Sequence, residues 1–124
     1  EPFASWGQML TRFFKAGIAV ANHAESGESL RSSLSARRLD KVLSTMRAGD
    51  WLFLQYGHND MKSVDAATYA ADLKHFVAQA RQKGGRPVVI TPMHRRTFEG
   101  DKNANSHRDY PAAVRKSRPK RTCL

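Results

Sequence analysis

The chain has 124 residues, of which 40% are hydrophobic and 26% are charged, a composition typical of one folded domain. No apolar run approaches the roughly 18 residues of a membrane-spanning helix, and the single cysteine, Cys123, excludes an internal disulfide and a cysteine-based metal cluster. The net charge of +10 first suggests a nucleic-acid partner, but the basic residues outside the C-terminal end are dispersed among acids, which disfavours that role.

The first predicted elements are a helix and a short strand. Apolar residues recur at helical spacing from Trp6 to Lys15, which predicts an amphipathic helix. The apolar run Ile18–Ala21 predicts a buried strand. The polar segment Asn22–Ser29 follows it and has the composition of a loop.

A second helix and a second strand come next. Apolar spacing from Ser35 to Arg47 predicts the helix, and the run Trp51–Tyr56 predicts the strand. This strand is apolar on both alternating faces, which indicates a parallel sheet covered on both sides. It stops at the polar segment Gly57–Asp60.

The third helix and the third strand complete the alternation. The helix is predicted from Ala66 to Lys83, with Asp65 as its N-terminal cap. The strand Pro87–Thr91 and a polar loop from Met93 to His107 follow, and a last helix begins near Tyr110. Alternating helices and strands predict an α/β protein with a parallel sheet and a right-handed crossover.

Three predicted loops are expected to meet at one edge of this sheet. Parallel strands all end at the same edge, and ligands bind beyond it. The loops in question are Asn22–Ser29, Gly57–Asp60 and Pro92–Arg96. Acyl transfer needs hydrogen-bond donors for an oxyanion, and the N–H of Gly27 and the amide of Asn59 could supply them. Both residue types are also common in turns and helix caps, and spacing alone leaves that alternative open.

Several stretches of the chain match one family pattern in order. The most specific is Gly57-His58-Asn59-Asp60. The others are Trp6–Leu10, Asn22–Ser32, Thr91–Arg96 and Asp109–Val114. Together they resemble SGNH/GDSL hydrolases of the rhamnogalacturonan acetylesterase group. The resemblance implies, for residues 1–115, a partial flavodoxin-like three-layer α/β/α fold with a parallel sheet.

The resemblance also implies a reaction. It is serine-dependent removal of acetyl groups from a pectin-type polysaccharide, without a metal or an organic cofactor, and its oxyanion donors fall at Gly27 and Asn59. The family's nucleophilic serine lies in a Gly-Asp-Ser motif, which the sequence does not contain, and its catalytic histidine belongs to a C-terminal Asp-x-x-His motif. The chain is therefore expected to be an inactive middle piece, secreted or periplasmic by resemblance alone. The alternative is a non-catalytic carbohydrate-binding remnant of the same fold.

Candidate substrate contacts lie on the same loops. The implied substrate carries galacturonate carboxylates, which a guanidinium binds through two hydrogen bonds, so Arg95 or Arg96 is expected to hold it. A structural salt bridge or a solvated surface charge is the alternative for these arginines. His58, on the loop of the oxyanion asparagine, and His94 complete the candidate substrate-binding set. His107 has no assigned role, and an ordinary, partly exposed position is expected for it.

Two further motifs are interpreted as structural. Asp72 and His75 reproduce the Asp-x-x-His spacing, but they fall inside the third helix, so they are interpreted as a chance pair on a solvated face. Ser26, Ser29 and Ser32 are interpreted as loop and capping residues, because none has the family's nucleophile context.

The C-terminal residues 116–124 are predicted to form a basic, disordered tail. By resemblance, a central strand precedes Glu1, which would leave an unfilled slot between Ile18–Ala21 and Trp51–Tyr56. An unfilled slot leaves backbone groups unpaired, so the isolated chain is expected to be marginally stable or prone to aggregation.

Overall fold

A computed structural model describes residues 5–117, in which two parallel strands are joined by a long helix. The helices are α1 (Trp6–Met9), α2 (Leu30–Ser35), α3 (Arg38–Thr45), α4 (Ala66–Gln82) and α5 (Tyr110–Lys116). The strands are β1 (Trp51–Gln55), β2 (Arg86–Ile90), β3 (Phe98–Glu99) and β4 (Lys102–Asn103). Most of the predicted tail, from residue 118 onward, lies outside the described residues. None of the helices between residues 5 and 117 is both long and apolar enough to cross a bilayer.

The strand pair β1–β2 is the centre of the fold. Its parallel register runs from Trp51 opposite Arg86 to Gln55 opposite Ile90. The connection through α4 confirms the predicted strand–helix–strand unit, and the α/β fold class is confirmed with it. Because both strands run the same way, their C-terminal ends open onto one edge.

The hydrophobic core lies between α2–α5 and one face of this sheet. Leu54 of β1 is buried there, and α4 contributes an apolar stripe that the sequence predicted. The other main members of the core are Leu30, Leu39, Leu43, Tyr69, Leu73, Phe76, Val77, Tyr110, Ala113 and Val114. Full burial of a leucine or phenylalanine contributes about 1.5–3 kcal/mol, so this face supplies most of the stabilisation.

The opposite face of the sheet is largely open, although the sequence predicted cover on both sides of β1. Trp51 is 60% exposed and Phe53 is 39% exposed. Trp6 of α1 contacts Phe53 edge-on, with ring centroids 6.3 Å apart, and donates through Nε1 to Gln55 Oε1 at 2.5 Å. The Arg86 guanidinium lies 5.5 Å from the Trp51 ring. Within the described residues, α1 is thus the one helix on this side.

The prediction of a strand over Ile18–Ala21 is wrong. These residues have no regular structure, and Ile18 is 56% exposed. A strand needs a neighbour for its backbone N–H and C=O groups, and within residues 5–117 neither β1 nor β2 pairs with this segment. The first helix is also shorter than predicted, because α1 changes to a 3₁₀ helix over Leu10–Phe13.

The predicted helix Ser35–Arg47 corresponds to α3, and the sequence did not predict α2, which ends where that range begins. The break between the two helices falls at Arg37, whose positive φ of 55° interrupts the helical path. Ser29 begins α2: its hydroxyl accepts the Ser32 N–H at 3.1 Å, and the Ser32 hydroxyl accepts the Ser29 N–H at 2.9 Å. This reciprocal cap confirms the structural interpretation of both serines.

The ends of α4 agree with the sequence. Asp65 Oδ1 accepts the Thr68 N–H at 2.7 Å, which confirms the predicted cap. At the other end, Gly84 has φ +78°, and a Cβ there would lie 2.9 Å from the Ala48 Cβ. A glycine is therefore required where the chain leaves α4 for β2.

We expect the Asp65→Ala variant to melt at a lower temperature than the wild type at neutral pH. The hydrogen bond from the Thr68 backbone lowers the pKa of the Asp65 carboxyl below its ordinary 3.8. Such a group stabilises the fold above pH 3.8, and its contribution is lost as pH falls through the lower folded-state pKa. Thermal melts from neutral to strongly acidic pH should therefore converge for the two proteins.

Asp101→Ala, in the exposed turn before β4, is the matched control and should leave the melting temperature unchanged. Equal melting temperatures for the Asp65 variant and the wild type at neutral pH would contradict the capping role.

Candidate active site

The loops that follow β1 and β2 pack directly against each other at the C-terminal edge of the sheet. Gly57, the second residue after β1, has φ +125°, and a Cβ at this position would lie 3.0 Å from Cγ of Pro92. Any other residue would push the two loops apart, because the proline ring already fills the space. The close approach brings the segments Gly57–Asp60 and Pro92–Arg96 together, as the sequence predicted.

Asp60 joins the β1 loop to the segment before α2. Its side chain is completely buried. Oδ2 accepts the Gly57 N–H at 2.9 Å, and Oδ1 accepts the Leu30 N–H at 2.8 Å. Burial raises the pKa of Asp60, and the two backbone donors partly oppose this rise because they favour the ionised form.

Asn59 lies against the loop that carries Gly27. Its Nδ2 donates to the carbonyl oxygen of Glu28 at 3.1 Å, and Lys62 Nζ donates to its Oδ1 at 3.1 Å. The structure therefore brings the Asn59 amide to the residue immediately after Gly27. A side-chain amide has two N–H groups, so one donor of Nδ2 is left for another acceptor.

Gly27 presents an open backbone at this place. It has φ +81°, and no atom lies within 4 Å of the position that a Cβ would occupy. In the part of the chain that the structure describes, no acceptor receives its N–H. A glycine here allows a ligand atom to approach the backbone closely, which a side chain would obstruct.

Glu28 holds the Gly27 segment in place. Its Oε2 accepts the Ser32 hydroxyl at 2.5 Å and the Ser33 hydroxyl at 3.3 Å, and its Oε1 lies 3.2 Å from Arg38 Nη2. The hydrogen bond from Ser32, and secondarily the Arg38 charge, lower the pKa of Glu28. The segment is thus fixed by side-chain bonds, although it contains no helix or strand.

Three histidines meet around the carbonyl oxygen of Met93, just after β2. His58 Nε2 donates to this oxygen at 2.9 Å, and His107 Nε2 donates to it as well. The rings of His58 and His107 meet edge-on with centroids 4.7 Å apart, and His94 stacks on His107 at 5.6 Å. His58 and His94, both predicted as substrate contacts, therefore each contact the ring of His107.

The expectation of a partly exposed His107 is wrong, because its side chain has 0% exposure. The ring lies between the β2 loop and the segment before α5. Its hydrogen bond to the Met93 carbonyl offsets the cost of burying Nε2, one of its two ring nitrogens. Nothing in the spacing of the sequence indicated this burial.

Arg95 projects from the β2 loop into solvent. Among residues 5–117, no carboxylate lies within salt-bridge distance of its guanidinium. A structural ion pair therefore has no support at Arg95, whereas its exposure is compatible with both a substrate contact and a solvated surface charge. Beyond it, β3 and β4 form a short antiparallel hairpin, which the sequence did not predict within the polar loop.

The pair Asp72 and His75 does not form a site. Asp72 is buried rather than solvated, which corrects that part of the sequence interpretation, and it pairs with Arg31 at 3.0 Å. His75 is exposed, away from that ion pair. The ion pair connects α2 with α4 and has a structural role.

Replacing His107 by phenylalanine tests the histidine cluster. The variant His107→Phe keeps a ring but removes the donor to Met93, so we expect the segment after β2 to open more often. Loss of one hydrogen bond, worth about 1 kcal/mol, should speed tryptic cleavage after Arg95 and Arg96 about fivefold. Mass spectrometry of timed digests measures the rate.

The control His23→Phe changes an exposed histidine and should digest like the wild type. Unchanged cleavage in His107→Phe would mean that this histidine does not hold the β2 loop.

The parallel strand pair, whose polar loops meet at one edge with a Gly-His-Asn-Asp turn after β1, agrees with the resemblance to SGNH hydrolases. Residues 1–122 match the GDSL-like Lipase/Acylhydrolase family. The chain belongs to this family.

Relatives from Bacillus subtilis (strain 168) are similar over most of the chain. Rhamnogalacturonan acetylesterase RhgT is 36% identical over 118 residues, which cover 92% of this chain and 51% of RhgT. Probable rhamnogalacturonan acetylesterase YesY is 34% identical, covering 90% of this chain and 55% of YesY. The chain thus spans about half the length of these relatives.

A solved structure shows the same fold. The crystal structure of YxiM from Bacillus subtilis superposes with a TM-score of 0.81 at 26% identity, over 92% of this chain and 34% of YxiM. The match supports the helix-plus-parallel-sheet architecture as part of an SGNH-type fold.

Proposed function

We propose that this chain forms the oxyanion-hole part of a serine-dependent acetylesterase that removes acetyl groups from rhamnogalacturonan, a pectin-type polysaccharide. The similarity to RhgT and YesY supports the substrate class. The observation that carries the proposal is the contact of Asn59 Nδ2 with the Glu28 carbonyl, because it places two candidate donors, Asn59 and Gly27, on adjoining segments.

The chemistry that these donors serve is a two-step ester hydrolysis. A serine attacks the acetyl carbonyl, a histidine takes the serine proton, and water later releases acetate from the acetyl-enzyme. The carbonyl oxygen gains negative charge during each attack. The free N–H of Gly27 and the second amide N–H of Asn59 stabilise that charge, and because they are held in place beforehand, they need no rearrangement.

Substrate binding is assigned to the adjoining β2 loop. The exposed guanidinium of Arg95 suits a galacturonate carboxylate, which it can hold through two parallel hydrogen bonds. His58 bonds to the Met93 carbonyl of the same loop and His94 stacks on His107, and ring nitrogens of His58 and His94 offer polar contacts to sugar hydroxyls. The proposed ligand is an acetylated polysaccharide or oligosaccharide.

The 124-residue chain alone is expected to be inactive. Its sequence contains no Gly-Asp-Ser motif. In its Asp-x-x-His pair, Asp72 forms an ion pair with Arg31 and His75 is exposed to solvent. Purified chain should hydrolyse p-nitrophenyl acetate and acetylated rhamnogalacturonan no faster than buffer. Turnover that a serine-directed reagent abolishes would show that the nucleophile lies within these residues.

A chimera tests the proposed donors. We expect a protein in which this chain replaces the matched stretch of RhgT to release acetate from acetylated rhamnogalacturonan. Asn59→Ala in the chimera should lower kcat about 10²- to 10³-fold, the usual cost of removing one oxyanion donor. The matched control Asn103→Ala alters an exposed asparagine of β4 and should retain full kcat.

Two outcomes of the chimera experiment count against the proposal. An unchanged kcat in Asn59→Ala would remove the asparagine from the oxyanion site. A folded chimera that binds pectin fragments without releasing acetate would favour the non-catalytic carbohydrate-binding alternative.

A further inference from the structure

One buried carboxylate bridges the two segments that carry the candidate donors. Asp60 accepts the N–H of Gly57 on its own loop and the N–H of Leu30, thirty residues earlier in the sequence. Leu30 lies three residues after Gly27, and Asp60 directly follows Asn59. Each oxygen of the carboxylate therefore holds a different segment of the same site.

The burial of Asp60 makes this bridge stiff. Water does not reach the side chain, so neither backbone donor can exchange its partner for solvent without opening the structure. A buried carboxylate is costly unless it is hydrogen-bonded, and a buried N–H without an acceptor is costly as well. The carboxylate and the two N–H groups thus hold each other in one arrangement.

Capping of α2 does not by itself account for the contact. Ser29 and Ser32 already cap this helix through their own side chains. Asp60 satisfies a different N–H, that of Leu30, and does so from the loop after β1. Its second oxygen accepts the Gly57 N–H and closes the turn in which Asn59 lies. One side chain therefore fixes both the first residue of α2 and this turn.

We propose that Asp60 is a positioning residue, which sets the distance between the Gly27 segment and the Asn59 side chain. The inference rests on the proposed function for its catalytic meaning, but its structural part can be measured without any reaction. A second bond, from Asn59 Nδ2 to the Glu28 carbonyl, spans the same two segments and depends on the spacing that Asp60 maintains.

Nuclear magnetic resonance of the 124-residue chain tests the structural part. In Asp60→Ala, the amides of Leu30 and Gly57 should both exchange with solvent about ten- to a hundredfold faster, because both lose a bond to a charged acceptor. In Asp60→Asn, which keeps one acceptor oxygen, one of the two amides should lose protection. The side-chain NH₂ signals of Asn59 should shift in both variants.

Asp50→Asn is the matched control. Asp50 Oδ2 accepts the Arg47 N–H at 2.8 Å, so this carboxylate also holds a backbone donor, but before β1 and away from the site. The substitution should leave the signals of Leu30, Gly57 and the Asn59 side chain unchanged. Unchanged Asn59 signals in both Asp60 variants, with faster exchange at the two amides, would overturn the positioning role.

If the Asp60 variants do not fold, a pH titration of the wild-type chain tests the same positioning role of Asp60. Burial, with the charge of Asp72 adding to it, raises the pKa of Asp60, so its midpoint should lie above the ordinary 3.8. The amide signals of Leu30 and Gly57 and the NH₂ signals of Asn59 should move with one common midpoint. Titration of the two amides without movement at Asn59 would overturn the proposal.

The RhgT chimera tests the catalytic part. Asp60→Asn should lower kcat at least about tenfold while KM stays within about twofold, because the donors act on the transition state rather than on the bound sugar. If Asp60→Asn lowered the melting temperature of the chimera but left kcat unchanged, the role of Asp60 would be purely structural. A wild-type chimera without activity would count against the proposed function, and the resonance measurements would still decide the role of Asp60.

Discussion

The parallel pairing of β1 with β2 is the contact on which the position of every polar loop depends. Five residues of each strand are in register, and α4 returns the chain between them on the core side. Because the two strands point the same way, Gly57 and Pro92 meet at one edge. Reversal of either strand would separate the histidines from the proposed oxyanion donors, although the amino-acid composition would not change.

Two kinds of stabilisation meet at this edge. In the core next to it, leucine, phenylalanine and tyrosine side chains from α2–α5 bury apolar surface. The resulting hydrophobic stabilisation does not depend on the direction of the contacts. At the edge itself, the loops are held by hydrogen bonds that the Asp60 and Glu28 carboxylates accept and the Asn59 amide donates, and these depend strongly on distance and angle. The core thus fixes where the loops begin, and the polar contacts fix the geometry of the candidate site.

Sequence reasoning worked where the signal was local and failed where it depended on a neighbour. Apolar spacing and caps located the ends of β1, β2 and α4 to within one residue, and the Gly-His-Asn-Asp motif indicated the loop of Asn59. The segment Ile18–Ala21 has strand-like composition, but strand formation needs a pairing partner that composition cannot reveal. The burial of His107 likewise depends on the β2 loop, which is distant in sequence. The bridging contact of Asp60 could not be anticipated, because its partner Leu30 has no polar side chain to mark it.

The uncovered face of the sheet gives the molecule an internal optical reporter. Both tryptophans of the chain, Trp6 and Trp51, lie on this side, whereas the core around α4 contains tyrosine and phenylalanine instead. Indole emission responds to the polarity and mobility of its surroundings. Fluorescence excited at the red edge of protein absorption therefore reports on this one surface, and it distinguishes shielding of β1 from changes in the packed interior.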